Sequence, residues 1–362
     1  MEKRKQTDKI SSRIKKILSL KEALVHASSP KWAILILLCL SIAFLVSHKT
    51  LSRVKQYEVA MTSKSINDLF TIIFVLVDDW YQQEGIKLLK GKPGAKPEFS
   101  DSEVITLMLG HDFIPYPSET QYLGYIRANH LALFPRLIDQ SQFNRRSRAL
   151  RLLVEQLRRY WLIQRGWHLD TRYLLDTKPV PVMGSKRNKR HSDFAGSANY
   201  GHCASRNLKY FGYKLVTVST LHGIPMVYDL VPANADERLA AEAVIDYFTF
   251  CDFFADKGFL GLQWQTRIFD QTNNLIWTPR RSNQHVQNTP GLDRWLSSIR
   301  ERIEGVFHEI QNTGRNIERL LAKTILGLCT RVIAKMTAHL LRHLLWIDFG
   351  VNVQTFEVVS AF

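Results

Sequence analysis

One acidic residue, Asp176, lies in the middle of an otherwise apolar run from Tyr173 to Met183 (YLLDTKPVPVM). A short apolar run of this kind predicts a strand. A charge inside such a strand is costly to bury without a partner, and a metal cation would supply that partner. The alternative is an aspartate at the strand edge that caps a turn before Pro179. Either way, the carboxylate limits how this strand is placed in the fold.

The segments after this run follow a recognisable order. Residues 213–220 and 224–231 are predicted to be strands antiparallel to the first, and a helix over 236–250 follows. Strands over 253–259 and 275–279 and a helix over 292–310 complete the series, with more helix to about residue 345. This order is typical of an α/β fold with an RNase H-like, mixed five-stranded sheet flanked by helices.

The charge of the chain indicates a polyanionic partner. The formal net charge is +16, and residues 1–60 contribute half of it. Nucleic acid is the first candidate and an anionic membrane surface the second. None of the four cysteines forms a C-x-x-C pair, which disfavours a zinc ribbon or a disulfide framework and favours a reducing, cytoplasmic location.

A helical region precedes the strands. Ser100 and Glu103 form a capping box that predicts a helix start, and helical spacing continues to about residue 165. Its last helix carries six arginines with one acid; we interpret Arg145, Arg146 and Arg148 as DNA contacts, against a solvated surface face. A basic loop after the first strand gives the same two alternatives for Lys186, Arg187, Lys189 and Arg190.

The first sixty residues contain a 15-residue apolar run, Trp32 to Val46. A spanning helix needs roughly 20 apolar residues, so the run is short. It is a membrane anchor, a buried helix or an extension outside the functional protein, and we favour the last with Met61 as the working start. We therefore expect an extension over 1–60, a helical DNA-binding domain over 61–168, a catalytic domain over 169–347 and a tail over 348–362.

Two further acids complete a candidate catalytic set with Asp176. Asp256 closes the fourth predicted strand, and Glu304 lies on the late helix beside an apolar face. Three carboxylates of this kind can bridge two Mg²⁺ ions for phosphoryl transfer, because Mg²⁺ prefers hard oxygen ligands. The alternatives are a turn aspartate at Asp256 and an exposed helical glutamate at Glu304, with Glu301 as competitor for the third position.

These segments resemble the Insertion Sequence 982 family of DDE transposases. The carrying motifs are Asp176-Thr177-Lys178-Pro179, Asp256-Lys257-Gly258-Phe259, and Arg300 with Glu304 and Phe307. The tracts 100–106, 127–135 and 212–215 are also similar to that family, and the resemblance runs from about residue 61 to 345.

The resemblance implies an enzyme that binds the terminal inverted repeats of its own element and cuts and rejoins DNA. It implies two Mg²⁺ ions, with Mn²⁺ as a substitute, held by Asp176, Asp256 and Glu304. Arg300, one helical turn before Glu304, would hold a DNA phosphate or orient that carboxylate; an intrahelical pair with Glu304 or Glu301 is the alternative. Lys257 would contact the scissile strand, the protein would be a homodimer, and it would be cytoplasmic and nucleoid-associated. Membrane attachment is the minority interpretation.

The sequence departs from the wider group at two positions. Ser297 stands where related transposases often have Tyr, and Gln311 where they have Lys. These departures concern the DNA-end contacts rather than the three acids. The alternative functions are an RNase H-like nuclease or resolvase without strand transfer, and a DNA-binding relic without chemistry.

Overall fold

The computed structural model describes residues 66–89, 97–183, 191–203, 207–280, 287–312 and 316–349. These residues belong to one compact unit. The predicted extension 1–60 with its apolar run, the basic residues 186–190 and the tail beyond residue 349 lie outside the described residues. Within the described part, no helix combines the length and the apolar character needed to cross a membrane.

Among the described residues, four α-helices of ten residues or more precede the sheet: α1 (Ile66–Trp80), α2 (Asp101–Gly110), α3 (Glu119–Asn129) and α4 (Gln140–Gln164). The predicted capping box at the start of α2 is confirmed. The Ser100 hydroxyl accepts a bond from the Glu103 amide at 3.1 Å, and the Glu103 carboxylate accepts one from the Ser100 amide at 2.6 Å. These bonds satisfy two amide groups that a helix start leaves without partners.

The sheet contains six described strands: β1 (Arg172–Met183), β2 (Asn199–Cys203), β3 (Leu208–Thr220), β4 (Pro225–Pro232), β5 (Asp252–Ala255) and β6 (Leu275–Trp277). Their order is β2-β3-β1-β5-β6, with β4 also paired to β3. The sheet is mixed, because β1 runs antiparallel to β3 and parallel to β5. The prediction of a mixed sheet holds, but the prediction of five strands was one short: the polar β2 pairs with the first residues of β3.

The backbones of β1 and β3 approach unusually closely at Gly212. An ideal Cβ placed there would lie 2.2 Å from the carbonyl oxygen of Val180 and 3.0 Å from the amide nitrogen of Val182. The obstacle is main chain, and the pairing register shifts beside it, between Pro181 and Met183. Only glycine fits at this crossing of the two strands.

Two helices connect the later strands: α5 (Glu237–Ile245) and α6 (Leu262–Thr272). The sequence predicted no helix between β5 and β6, yet these strands are parallel and parallel neighbours need a crossover. The predicted strand 253–259 also ends early, at Ala255, because residues 257–259 form a 3₁₀ turn. Helix α5 ends before Phe250, whose φ of 57° is incompatible with a right-handed helix.

Two long helices complete the fold: α7 (Pro290–Asn312) and α8 (Ile325–Phe349). Helices α1 to α4, the sheet and α8 share one hydrophobic core. The buried Arg158 of α4 also donates to the carbonyl oxygens of Pro225 and Met226 at 2.8 and 3.0 Å, which fastens this helix to β4. The division into a DNA-binding and a catalytic domain stays a prediction.

Candidate active site

The parallel pairing of β1 with β5 brings Asp176 and Asp256 to neighbouring positions. The last residues that pair are Leu175 of β1 and Ala255 of β5. Asp176 directly follows Leu175, and Asp256 directly follows Ala255. Both side chains are half-buried. Burial and then the negative charge of Asp256 raise the pKa of Asp176 to about 7. The two carboxylates are therefore close enough to repel each other when both are ionised.

Backbone hydrogen bonds hold both carboxylates. The Thr177 amide donates to Asp176 Oδ1 at 2.7 Å, and the Gly258 amide donates to Asp256 Oδ1 at 2.7 Å. The second bond also caps the 3₁₀ turn that ends β5. The orientation of each carboxylate is thus set by rigid backbone at the point where the pairing of β1 with β5 ends, and a metal site requires such rigidity.

A third described carboxylate, Glu237 at the start of α5, adjoins this pair. Its Oε1 accepts a hydrogen bond from the Thr177 hydroxyl at 3.3 Å and lies 3.6 Å from the Lys214 ammonium. Its Oε2 lies 2.3 Å from an ideal Cβ at Gly258, so a side chain at position 258 would displace this carboxylate. The negative charge of Glu237 also raises the pKa of Asp176.

Glu237 was not among the acids predicted from the sequence. Acidic residues are common in the first turn of a helix, where they complement its dipole, so nothing in the local pattern distinguishes this one. Asp236 before it caps the helix by accepting a bond from the Arg238 amide at 2.9 Å. The identification of Asp236 as a helix start gave no reason to examine its neighbour.

Helix α7 covers the sheet face that carries Asp176. Leu174, two residues before Asp176 on that face, packs with Leu296 and Ile299. Lys178, two residues after it, donates to Gln311 Oε1 at 2.8 Å. The stretch of α7 between residues 299 and 311 therefore runs past Asp176.

Position 304 lies within that stretch. It precedes Gln311 by seven residues, which places both within about 20° on the same stripe of the helix. The competing Glu301 is exposed and lies about 80° from that stripe. The side chains of Glu304 and Arg300 are outside the described part of the structure, so their roles stay predictions.

A cleft of about 700 Å³ adjoins the turn after Asp256. It has basic and acidic walls and two glycines that leave backbone accessible; its lining includes Lys214, Glu237, Arg238, Gly258, Gly261 and Arg280. Lys257, within the same turn, is exposed. The cleft can accept a phosphate-bearing strand beside the carboxylates, because ammonium and guanidinium groups recognise phosphate.

The arginines of α4 divide into two groups. Arg145 and Arg148 line a groove of about 830 Å³ together with Arg151, Lys323 and Arg331. Arg146 is not part of that groove: it forms an ion pair with Asp101 at 2.6 Å and donates to the Phe99 carbonyl oxygen. Arg146 therefore connects α4 to α2, and a DNA contact by Arg146 stays a prediction.

Comparison with known proteins gives one finding. Residues 167–341 match the family model described as Transposase DDE domain. The matched stretch begins just before β1 and ends within α8, and it excludes α1 to α4. Neither the curated proteins nor the solved structures contain a match to this chain. The family match supports a DNA-cutting enzyme of transposition, of a domain type that uses divalent metals.

Proposed function

We propose that this protein is a DDE transposase that binds the terminal inverted repeats of an insertion sequence, cuts DNA at those ends and joins them to target DNA. One observation carries the proposal: Asp176 and Asp256, far apart in the sequence, directly follow the last residues that pair between the parallel strands β1 and β5. The family match to residues 167–341 supports the same interpretation. Membership of the Insertion Sequence 982 family rests on the motifs around these acids.

The carboxylates fit a divalent metal site. Asp176 combines burial with two negative neighbours, Asp256 and Glu237, and a cation relieves both costs. Carboxylate oxygens are the ligands that Mg²⁺ prefers, with Mn²⁺ as a substitute. We assign Asp176, Asp256 and Glu304 as its ligands. When bound, two such ions supply activation of the attacking oxygen and stabilisation of the leaving oxygen.

The remaining residues position DNA. Lys257 and the lysine and arginines of the adjoining cleft would bind the phosphates next to the scissile bond. The resemblance expects a lysine at position 311, where this chain has glutamine. Gln311 accepts a hydrogen bond from Lys178, so an ammonium group from β1 lies beside that position. We propose that Lys178 takes over the corresponding DNA-end contact.

The groove of Arg145, Arg148 and Arg151 is the proposed path for DNA outside the cut site. Reversing the charges of Arg145 and Arg148 to Glu should weaken binding to duplex DNA about 10-fold or more and flatten its salt dependence. Titrating labelled duplex over a salt series measures both. The control is Arg136→Glu, because Arg136 is exposed and lines neither the cleft nor the groove. Unchanged DNA binding in the double variant would show that the groove is not part of the DNA path.

The catalytic proposal is tested with the purified full chain and duplexes carrying the DNA that flanks the coding region. We expect Mg²⁺-dependent nicking, followed by joining of the new 3′-hydroxyl end to a target plasmid. Asp176→Asn and Asp256→Asn should abolish both steps, and the exposed Asp270→Asn should preserve them. Nicking without joining would indicate a nuclease or resolvase. Metal-dependent nicking that survives both substitutions would exclude this site.

A further inference from the structure

Three potential metal ligands lie together between α7 and α8, away from the strand ends. Glu309, His339 and His343 each offer one ligand atom, and these atoms all lie within 4.8 Å of one another. His339 and His343 are four residues apart on α8 and therefore share one face of that helix. Within the described part of the chain, this is the group of three whose geometry suits a metal ion.

His339 has an unsatisfied nitrogen that points to a ligand. The side chain is fully buried, with 0% exposure. Its Nε2 lies 3.1 Å from the carbonyl oxygen of Gly223, which can only accept, so Nε2 carries the hydrogen. The other nitrogen, Nδ1, is buried and has no hydrogen-bond partner in the structure. A lone pair left in this way is uncommon in protein interiors and calls for an explanation.

Metal-binding histidines are typically arranged in the same way. A histidine that ligates a metal through one nitrogen usually donates the hydrogen of the other to a backbone carbonyl or a carboxylate. The Gly223 carbonyl fixes that tautomer here. Burial lowers the pKa of His339 well below its ordinary value and that of His343 to about 4, with positive neighbours contributing, so both rings are neutral ligands at pH 7.

We propose that Glu309, His339 and His343 form a second metal site that binds one Zn²⁺ ion, separate from the carboxylate site at the strand ends. Two imidazole nitrogens and one carboxylate oxygen suit zinc, whereas Mg²⁺ prefers oxygen alone. Zinc bonds of about 2.1 Å require the three atoms to draw together from their present spacing. The flexible Glu309 side chain supplies that movement. The fourth ligand of the zinc is either a water or the exposed His222, whose charge lowers the pKa of His343.

The two sites use different faces of α7. Positions 304 and 309 are about 140° apart around the helix. Arg302 lies on nearly the same stripe of α7 as Glu309, and its guanidinium donates to the Leu221 carbonyl oxygen at 3.5 Å. This stripe of α7 therefore faces the loop between β3 and β4. A bound zinc would join α7 to α8 next to that turn. Its role is structural: it holds the helix that carries the predicted third catalytic acid.

The test uses the full chain with Asp176→Asn and Asp256→Asn, so that metal at the carboxylate site does not contribute. After removal of metals with a chelator, Zn²⁺ is titrated by calorimetry and Co²⁺ by visible absorption. We expect one equivalent of zinc, a cobalt spectrum of low coordination number and a rise in the unfolding temperature. Adding His343→Gln or Glu309→Gln should weaken binding about 100-fold or more and remove the temperature rise.

The exposed His168→Gln is the matched control and should change nothing. Both test positions are half-buried, and a circular dichroism spectrum that matches the parent establishes that each variant is folded. The proposal would be overturned if the parent did not bind zinc. It would also be overturned if the His343 and Glu309 variants bound zinc as tightly as the parent. Because Asp176 and Asp256 are both replaced by Asn in every protein of this test, either result leaves the proposed transposase activity untouched.

Discussion

Asp176 and Asp256 lie half-buried where the pairing of the parallel strands β1 and β5 ends, next to a cleft, whereas His339 lies fully buried between two helices. The first region offers oxygen ligands that repel one another and an opening for a substrate. The second offers neutral imidazole nitrogens, and the hydrogen of the His339 ring is directed at the Gly223 carbonyl oxygen. Donor chemistry and access together therefore distinguish the proposed DNA-cutting site from the proposed structural zinc site.

The largest expected effect separates the two regions by activity. Asp176→Asn should lower the rate of DNA cleavage at least about 1,000-fold, because it removes a ligand from the site of chemistry. His343→Gln should lower it less than about 10-fold, because it acts only through the position of α7. Single-turnover cleavage at saturating Mg²⁺ compares them. A loss of equal size in both variants would mean that the two regions are not separate.

The pH dependence of stability sharpens the comparison for the strand ends. The folded pKa of Asp176, about 7, lies above its unfolded value, so ionisation destabilises the metal-free protein increasingly between pH 4 and pH 7. Asp176→Asn removes that cost. Its free energy of unfolding relative to the parent should therefore rise by about 1–3 kcal/mol from pH 5 to pH 8. Urea denaturation with chelator present measures it, and added Mg²⁺ should reduce the gain by stabilising the parent.

The opposite slope is expected between the helices. Burial, His222 and Arg342 hold the folded pKa of His343 near 4, below its ordinary value, so protonation destabilises the fold as the pH falls from about 7 to 4. His343→Gln should therefore gain about 1–2 kcal/mol relative to the metal-free parent from pH 8 to pH 5. The same denaturation series tests this, and parallel slopes for the two variants would contradict the assigned environments.

The smallest expected effect concerns Glu237. Glu237→Gln removes one of the negative charges that raise the pKa of Asp176, so the pH at which Asp176 destabilises the fold should move lower. Cleavage should fall only a few-fold, about 2- to 10-fold, because Glu237 holds Thr177 and Lys214 rather than a predicted catalytic metal. Carboxyl titration by NMR in the metal-free protein measures the shift. A loss as large as that of Asp176→Asn would make Glu237 a ligand.

The sequence predicted those features that local pattern determines. The strand around Asp176 and the cap at Ser100 depend on neighbouring residues, and the structure agrees with both. The predicted strand over 253–259 was extended too far, because Phe259 was counted with Phe253 and Phe254, whereas residues 257–259 form a 3₁₀ turn capped by Asp256. Helix α6 was missed, although the need for a crossover follows once β5 and β6 are known to be parallel.

Features assembled from distant segments left little trace in the sequence. Glu237 acts on Asp176 only because the start of α5 lies beside Thr177 of β1. The pair His339 and His343 has ligand spacing, but its significance depends on Glu309 of another helix and on the Gly223 carbonyl in a turn. The third catalytic acid remains a prediction, supported by the stripe that position 304 shares with Gln311.

The crossing of β1 and β3 at Gly212 has a consequence for the history of the gene. Because main-chain atoms of β1 fill the space where any side chain would begin, a replacement requires the two strands to move apart. Selection for a folded protein should therefore keep glycine at this codon. In related genes, a replaced Gly212 would indicate a distorted sheet even when every predicted acidic residue is kept.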